Sequence, residues 1–201
     1  MKSPLKTNLE KLEIISDALV SDVVNVLKKN VSGYYYLPEE TTEEALYIFG
    51  NDLNALTLEV HIHKSGDRTE TEVDGEYYRK ENTIKLEILY NENKSIVKVL
   101  DEVIPELHEL VTHEVVHFLQ EESGYKFPKK IPKKPFNYYS QPHELEAQIK
   151  GFEKKSRVKS TEIKKVMKEW FKKYPHKHNL KPREVTKLIN KLLENYGKDE
   201  N

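Results

Sequence analysis

The chain of 201 residues contains no cysteine, which excludes both a disulfide framework and any thiolate metal site. Any metal it holds must therefore be gripped by imidazole and carboxylate groups. Glycine is scarce, and no segment approaches the roughly 20 consecutive apolar residues that a membrane-spanning helix needs. The N-terminal MKSPLKTNLEKLEIISDALVSD lacks the uninterrupted apolar stretch of a secretion signal, so the chain reads as soluble, unsecreted and cytoplasmic. A strong net charge is missing as well: 33 basic side chains against 34 acidic ones give no global attraction to nucleic acid or to a membrane surface.

The charge that is present is unevenly placed. Residues 1–125 carry 12 basic and 25 acidic side chains, whereas residues 154–201 carry 15 basic and 6 acidic ones. Such an asymmetry lets the two parts attract each other, or offers a polyanion a basic surface. The length suits one domain with its own apolar core. Within residues 1–201, the segment from about 156 to 201 reads as a basic helical extension of that domain.

Apolar residues recur at helical spacing from Asn8 to Lys29 (Leu9, Leu12, Ile15, Ala18, Leu19, Val23, Leu27), and VSGYYYLPEETTEE ends that helix. The period then changes to two in LTLEVHIH and TIKLEILY, as in half-buried strands, and EYYRKEN offers another strand and turn. A small, mainly antiparallel sheet is expected. The helical period returns after NENKS. Because proline lacks an amide hydrogen and suits a first turn, a short helix from Ser95 to Ile104 and a new or kinked one from Pro105 are predicted. GYKFPKKIPKKPFNYYSQP reads as a loop, and helices follow at about 142–155, 161–174 and 182–196. The whole is an α+β pattern.

Inside the second of these helical stretches stands LVTHEVVHFLQ. His113 and His117, four residues apart, leave one helix face together and can converge on one ion. Glu114 sits about 100° round the helix from His113, placed to hold a water rather than the ion itself. This is the pattern H-E-x-x-H, in which two imidazoles bind Zn²⁺, the ion acidifies a water and the glutamate takes its proton. His108 lies five residues before His113 and points elsewhere on the helix.

A catalytic zinc takes three protein ligands. In QPHELEAQIKGF, Pro142 opens a helix on which Glu144, Ala147 and Gly151 form one stripe. Two small residues there permit close packing against the histidine helix, with Glu144 reaching the ion. Glu146 projects from another face, as an acceptor behind the ligands or a surface charge.

HEVVHFLQ followed by YYSQPHELEAQ resembles the zincin metallopeptidases of gluzincin type, in particular the short single-domain metallopeptidases encoded by bacteriophages and prophages. The resemblance spans roughly residues 83 to 155, and departs from the larger gluzincins in lacking their N-E-x-x-S-D form of the third-ligand helix. It implies a zincin-like fold, with the helix pair bearing His113, His117 and Glu144 beside a mixed sheet. It further implies Glu114 as general base, a downstream tyrosine, Tyr138 or Tyr139, as oxyanion helper, and a peptide or protein substrate. In zincins an edge strand beside the active-site helix commonly receives an extended peptide. NTIKLEILY is placed to be that edge, or else to be an internal core strand.

Other histidines carry weaker signals. His61 and His63 alternate to one face of a strand, with no third ligand evident nearby in the sequence. His176 and His178 read as part of a solvated interhelical loop. KFPKKIPKKP reads as a solvated loop, or as a flap over the cleft. The apolar stripes Ile163, Val166, Trp170, Phe171 and Leu188, Leu192, Leu193 read as core. The lysines around them support the alternative to an enzyme, a non-catalytic zinc-containing protein that binds nucleic acid through its C-terminal helices.

Overall fold

The computed structural model describes residues 9–29, 33–37, 56–67, 69–173 and 179–199. Helix α1 (Leu9–Lys28) forms where the period predicts, and buries Leu12, Ile15, Leu19, Val23 and Leu27. Four strands follow: β1 (Gly33–Leu37), β2 (Thr57–Ser65), β3 (Glu72–Tyr78) and β4 (Thr83–Asn91). The first lies inside the segment expected only to break α1. Its GYYYL run has the aromatic content of a strand but is too short to show a period.

The sheet order is β1-β2-β4-β3. Its outer pairings are antiparallel, but the long central pairing of β2 with β4 is parallel, so the sheet is mixed rather than mainly antiparallel. β3 and β4 form a hairpin through a 3-10 turn at Arg79–Glu81, closed by Asn82 at φ 47°, a left-handed conformation that asparagine tolerates. That hairpin puts β3 on the outside and leaves β4 to pair with β2. NTIKLEILY is therefore an internal strand, and among the described strands the edges are β1 and β3, of which β3 borders the cleft.

Helix α2 (Ile96–Glu122) is capped by the Ser95 hydroxyl, which accepts the Lys98 amide at 3.4 Å, and it runs unbroken through Pro105. Two helices, or a new start at Pro105, are thus not found. An interior proline costs about 3 kcal/mol, whereas each fully buried Val or Leu contributes about 1.5–3 kcal/mol. Val99, Val103, Leu107, Val111 and Val115 are all buried in the core that this helix shares with α1 and the sheet, and outweigh the proline.

A five-residue helix, α3 (Pro135–Tyr139), interrupts what the sequence suggests is wholly loop, started by a proline at its first position. Then come α4 (Pro142–Val158), α5 (Ile163–Lys173) and α6 (Pro182–Asp199). Among the described residues no helix is long and apolar enough to cross a membrane. The architecture is α+β.

Two apolar clusters meet at α4. One joins α1, the sheet and α2, and receives Ala147 of α4; the other joins Leu145, Ile149 and Phe152 of α4 to Val166, Met167, Phe171, Leu188, Ile189 and Leu192 of α5 and α6. Charge also ties the halves together. Lys154 lies 2.6 Å from Glu13 and 2.7 Å from Asp17 of α1, while Lys155 lies 2.6 Å from Glu109 and 2.8 Å from Glu106 of α2. The acidic first part and the basic last part attract each other directly, as the asymmetry in the sequence allows.

At Gly151 the helices α2 and α4 approach closely, since a Cβ placed there falls 2.7 Å from the Glu109 carbonyl oxygen. Gly151→Ala is expected to push the two helices apart and destabilise the chain by about 1–3 kcal/mol, despite alanine's better helix propensity. Urea denaturation checks this; equal or greater stability would contradict the close approach.

Candidate metal centre

The site is built where α2 and α4 face each other beside the β3 edge. His113 and His117 project from one face of α2, with their Nε2 atoms 3.1 Å apart. Proline at the first position of α4 starts that helix, and puts Glu144 in its first turn. Its Oε2 lies 3.7 Å from His113 Nε2 and 3.6 Å from His117 Nε2. Tetrahedral ligands at about 2.0–2.2 Å from zinc stand roughly 3.3–3.6 Å from one another, so the three groups fit one ion with small side-chain adjustment.

The surroundings hold each group in place. Gln120, one turn beyond His117, donates from Nε2 to the His143 carbonyl at 3.2 Å and to Glu146 Oε2 at 2.9 Å. Its Oε1 is thereby directed at His117 Nδ1, 3.0 Å away. A hydrogen on Nδ1 satisfies that acceptor, which leaves the Nε2 lone pair of neutral His117 aimed at the site. His143, also buried, sets Nε2 3.4 Å from Glu144 Oε1 and fixes the carboxylate from the other side. Glu144 Oε2 has no hydrogen-bond partner although it is buried. Such a carboxylate oxygen, facing two imidazole nitrogens, is satisfied by a cation between them. Half-buried His113 and buried His117 and Glu144 can together hold a metal ion.

Glu114 does not join that set. The backbone N–H of Tyr77, on β3, donates to its Oε2 at 2.9 Å, and its Oε1 stands 3.9 Å from His113 Nε2. Burial raises its pKa although both histidines act to lower it, so it is a stronger proton acceptor than an exposed carboxylate. Burial opposes charge on His117, but the facing carboxylate of Glu144 and the charge of Glu114 outweigh it and raise its pKa to about 9. Burial also opposes charge on Glu144, yet the three histidines hold its carboxyl far below the usual range.

The His117 shift has a consequence with a definite sign. Below about pH 9 the metal-free ring is protonated, and a metal must displace that proton. Apparent metal affinity is therefore expected to rise by about tenfold per pH unit up to about pH 9, instead of levelling near the ordinary histidine value of about 6.5. Competition with a chelator of known affinity across pH 6–9 measures this; a profile that is level from pH 7 upward would contradict it.

A cleft of about 340 Å³ opens onto the site, bordered by Val73 to Tyr77 of β3 on one side and by α3 and Trp170 on the other. Tyr138 and Tyr139 both line it. Burial, then the charges of Glu144 and Glu114, raises the Tyr138 pKa, whereas Tyr139 responds to burial and to the charges of Glu144 and Asp74. Both hydroxyls thus stay protonated, and Tyr138 is coupled more directly to the metal side. Phe127, Lys130 and Ile131 of the lysine-rich loop also border the cleft. Arg79 stacks over the Phe127 ring at 4.5 Å and ties that loop to the end of β3.

The structure thus gathers His113, Glu114, His117, Tyr138, Tyr139 and Glu144 around one cleft. Glu146 takes a place behind it, as the acceptor of Gln120. His108 is turned away towards α1, with Nδ1 3.5 Å from Asp17. His176 and His178 lie outside the described residues. Gln120 and His143 belong to this site as well, and their one signal in the sequence is spacing, three residues after His117 and one before Glu144. No protein-family model matches this chain, and no curated protein or solved structure matches it.

Proposed function

We propose that the chain is a zinc-dependent metallopeptidase of the gluzincin type, with a zincin-like arrangement of sheet and active-site helix. His113, His117 and Glu144 are its ligands, since two imidazoles and a carboxylate without any thiolate suit zinc. The observation that carries the reading is the buried, unpartnered Glu144 Oε2 opposite two imidazole Nε2 atoms, with a second carboxylate, Glu114, held beside them on the cleft side. When bound, the ion supplies Lewis acidity to a water and to a carbonyl oxygen.

The remaining work falls to the chain itself. The exposed edge of β3 offers backbone groups to an extended peptide, which would lie along the cleft as an added antiparallel or parallel strand. Glu114, oriented by the Tyr77 amide, takes the proton of the attacking water and can return it to the leaving amine. Tyr138, protonated and facing Glu144, donates to the oxygen of the tetrahedral intermediate, with Tyr139 next to it. Packing of α4 against both clusters keeps Glu144 from drifting as substrate enters.

The test is hydrolysis of a quenched-fluorescent peptide library by the zinc-loaded chain, by the chelator-treated chain and by a Glu114→Gln variant. Cleavage by the first alone supports the reading. Equal cleavage by the first and third would exclude Glu114 as the base.

A further inference from the structure

Across the sheet from α2 the structure assembles a set of side chains that the sequence leaves incomplete. Leu58, Val60 and Ile62 of β2 are buried against the core, so His61 and His63, alternating with them, project from the opposite face. The parallel pairing of β2 with β4 sets Glu87 directly beside His61. Two positions along a strand separate backbones by about 6.6 Å, yet the rings of His61 and His63 lean together to a centroid distance of 3.7 Å. His63 Nε2 stands 3.7 Å from Glu87 Oε1. One ligand atom from each of the three residues lies within 4.8 Å of the others.

We propose that His61, His63 and Glu87 form a second metal site, which takes a divalent transition cation such as Zn²⁺ and clamps β2 to β4. The chemistry of the donors selects the class: two imidazoles and one carboxylate favour zinc, nickel or copper over calcium or magnesium, which take mainly oxygen ligands. The platform is rigid, because β2 and β4 are paired along their full length at the centre of the sheet. The local field is suitable too. Glu59 shares this face, and the neighbouring Lys85 is engaged 3.3 Å from both Glu59 and Glu81 rather than with Glu87. Side-chain exposures of 45% for His63 and 50% for Glu87 leave the remaining coordination positions to water. The site is independent of the His113, His117 and Glu144 centre, which lies on the helix side of the sheet.

The probe is zinc alone, titrated into the full chain after chelator treatment and dialysis. Wild type is expected to bind about two ions per chain, one at each three-ligand site. His61→Ala with His63→Ala is expected to bind about one, and His117→Ala also about one, the latter being lost when all three substitutions are combined. Because the two histidines of the pair face away from the core, the double variant is expected to keep the circular dichroism of wild type. Glu87→Gln, nearly isosteric, provides a second measure and is expected to weaken the same binding step by about tenfold or more. An unchanged zinc isotherm in the double variant, or in Glu87→Gln should the double variant not fold, would overturn the proposal. Loss of the ion only in His117→Ala would do so as well, while leaving the peptidase reading standing.

Discussion

Glu114→Gln is expected to keep the ion of the central site and to slow peptide hydrolysis by about 10²–10⁴-fold, the usual contribution of a positioned general base. The amide is close in shape to the carboxylate and can still accept the Tyr77 N–H through its oxygen, so the local fold is preserved. What it cannot do is take a proton. The loss is expected in kcat, with KM nearly unchanged, because the group acts on the reacting water and not on ground-state binding. A fall in metal content instead would show that Glu114 is a ligand. A variant as active as wild type would remove it from the chemistry.

The second large effect concerns the ligands themselves. Glu144→Ala or His117→Ala is expected to abolish both the central ion and the activity, since a three-ligand site that loses one arm no longer holds zinc against water and chelators. In wild type, zinc at 100 times its dissociation constant should stabilise the fold by about 2.7 kcal/mol, visible as a rise in Tm. In either variant the part of this rise due to the central site disappears. The metal-free proteins should also differ. Glu144 is a buried carboxylate charged in its native state, so Glu144→Ala also removes the partner of three histidines, and His117 loses the main cause of its raised pKa. Thermal melts with and without zinc, on the same samples used for metal analysis, check both parts. A Glu144→Ala chain that keeps the central ion would place the third ligand elsewhere.

Much of the central site was legible in the sequence because its signals are local. The four-residue step from His113 to His117 and the stripe of Glu144, Ala147 and Gly151 need only helix geometry to be read. The structure then shows Gly151 against the Glu109 backbone, where the small side chain matters. The features that were not legible depend on which strand lies next to which. Nothing in TIKLEILY separates an edge strand from an internal one, as the alternation is the same in both; only the hairpin with β3 decides it. Glu87 is 24 positions from His63, and only the parallel register of β2 and β4 makes them neighbours. Pro105 misled for a related reason, since its local cost is visible in the sequence while the burial that offsets it is not. Gln120 and His143 sat in plain view, but their roles require knowing that α4 returns to the end of α2.

Diffraction at the zinc absorption edge, from crystals of the zinc-loaded chain, tests the ligand set most directly. An anomalous peak is expected between the Nε2 atoms of His113 and His117 and the Oε2 of Glu144, with Glu114 outside the coordination sphere. A map with no peak there, in crystals whose zinc content is established by fluorescence, would contradict it.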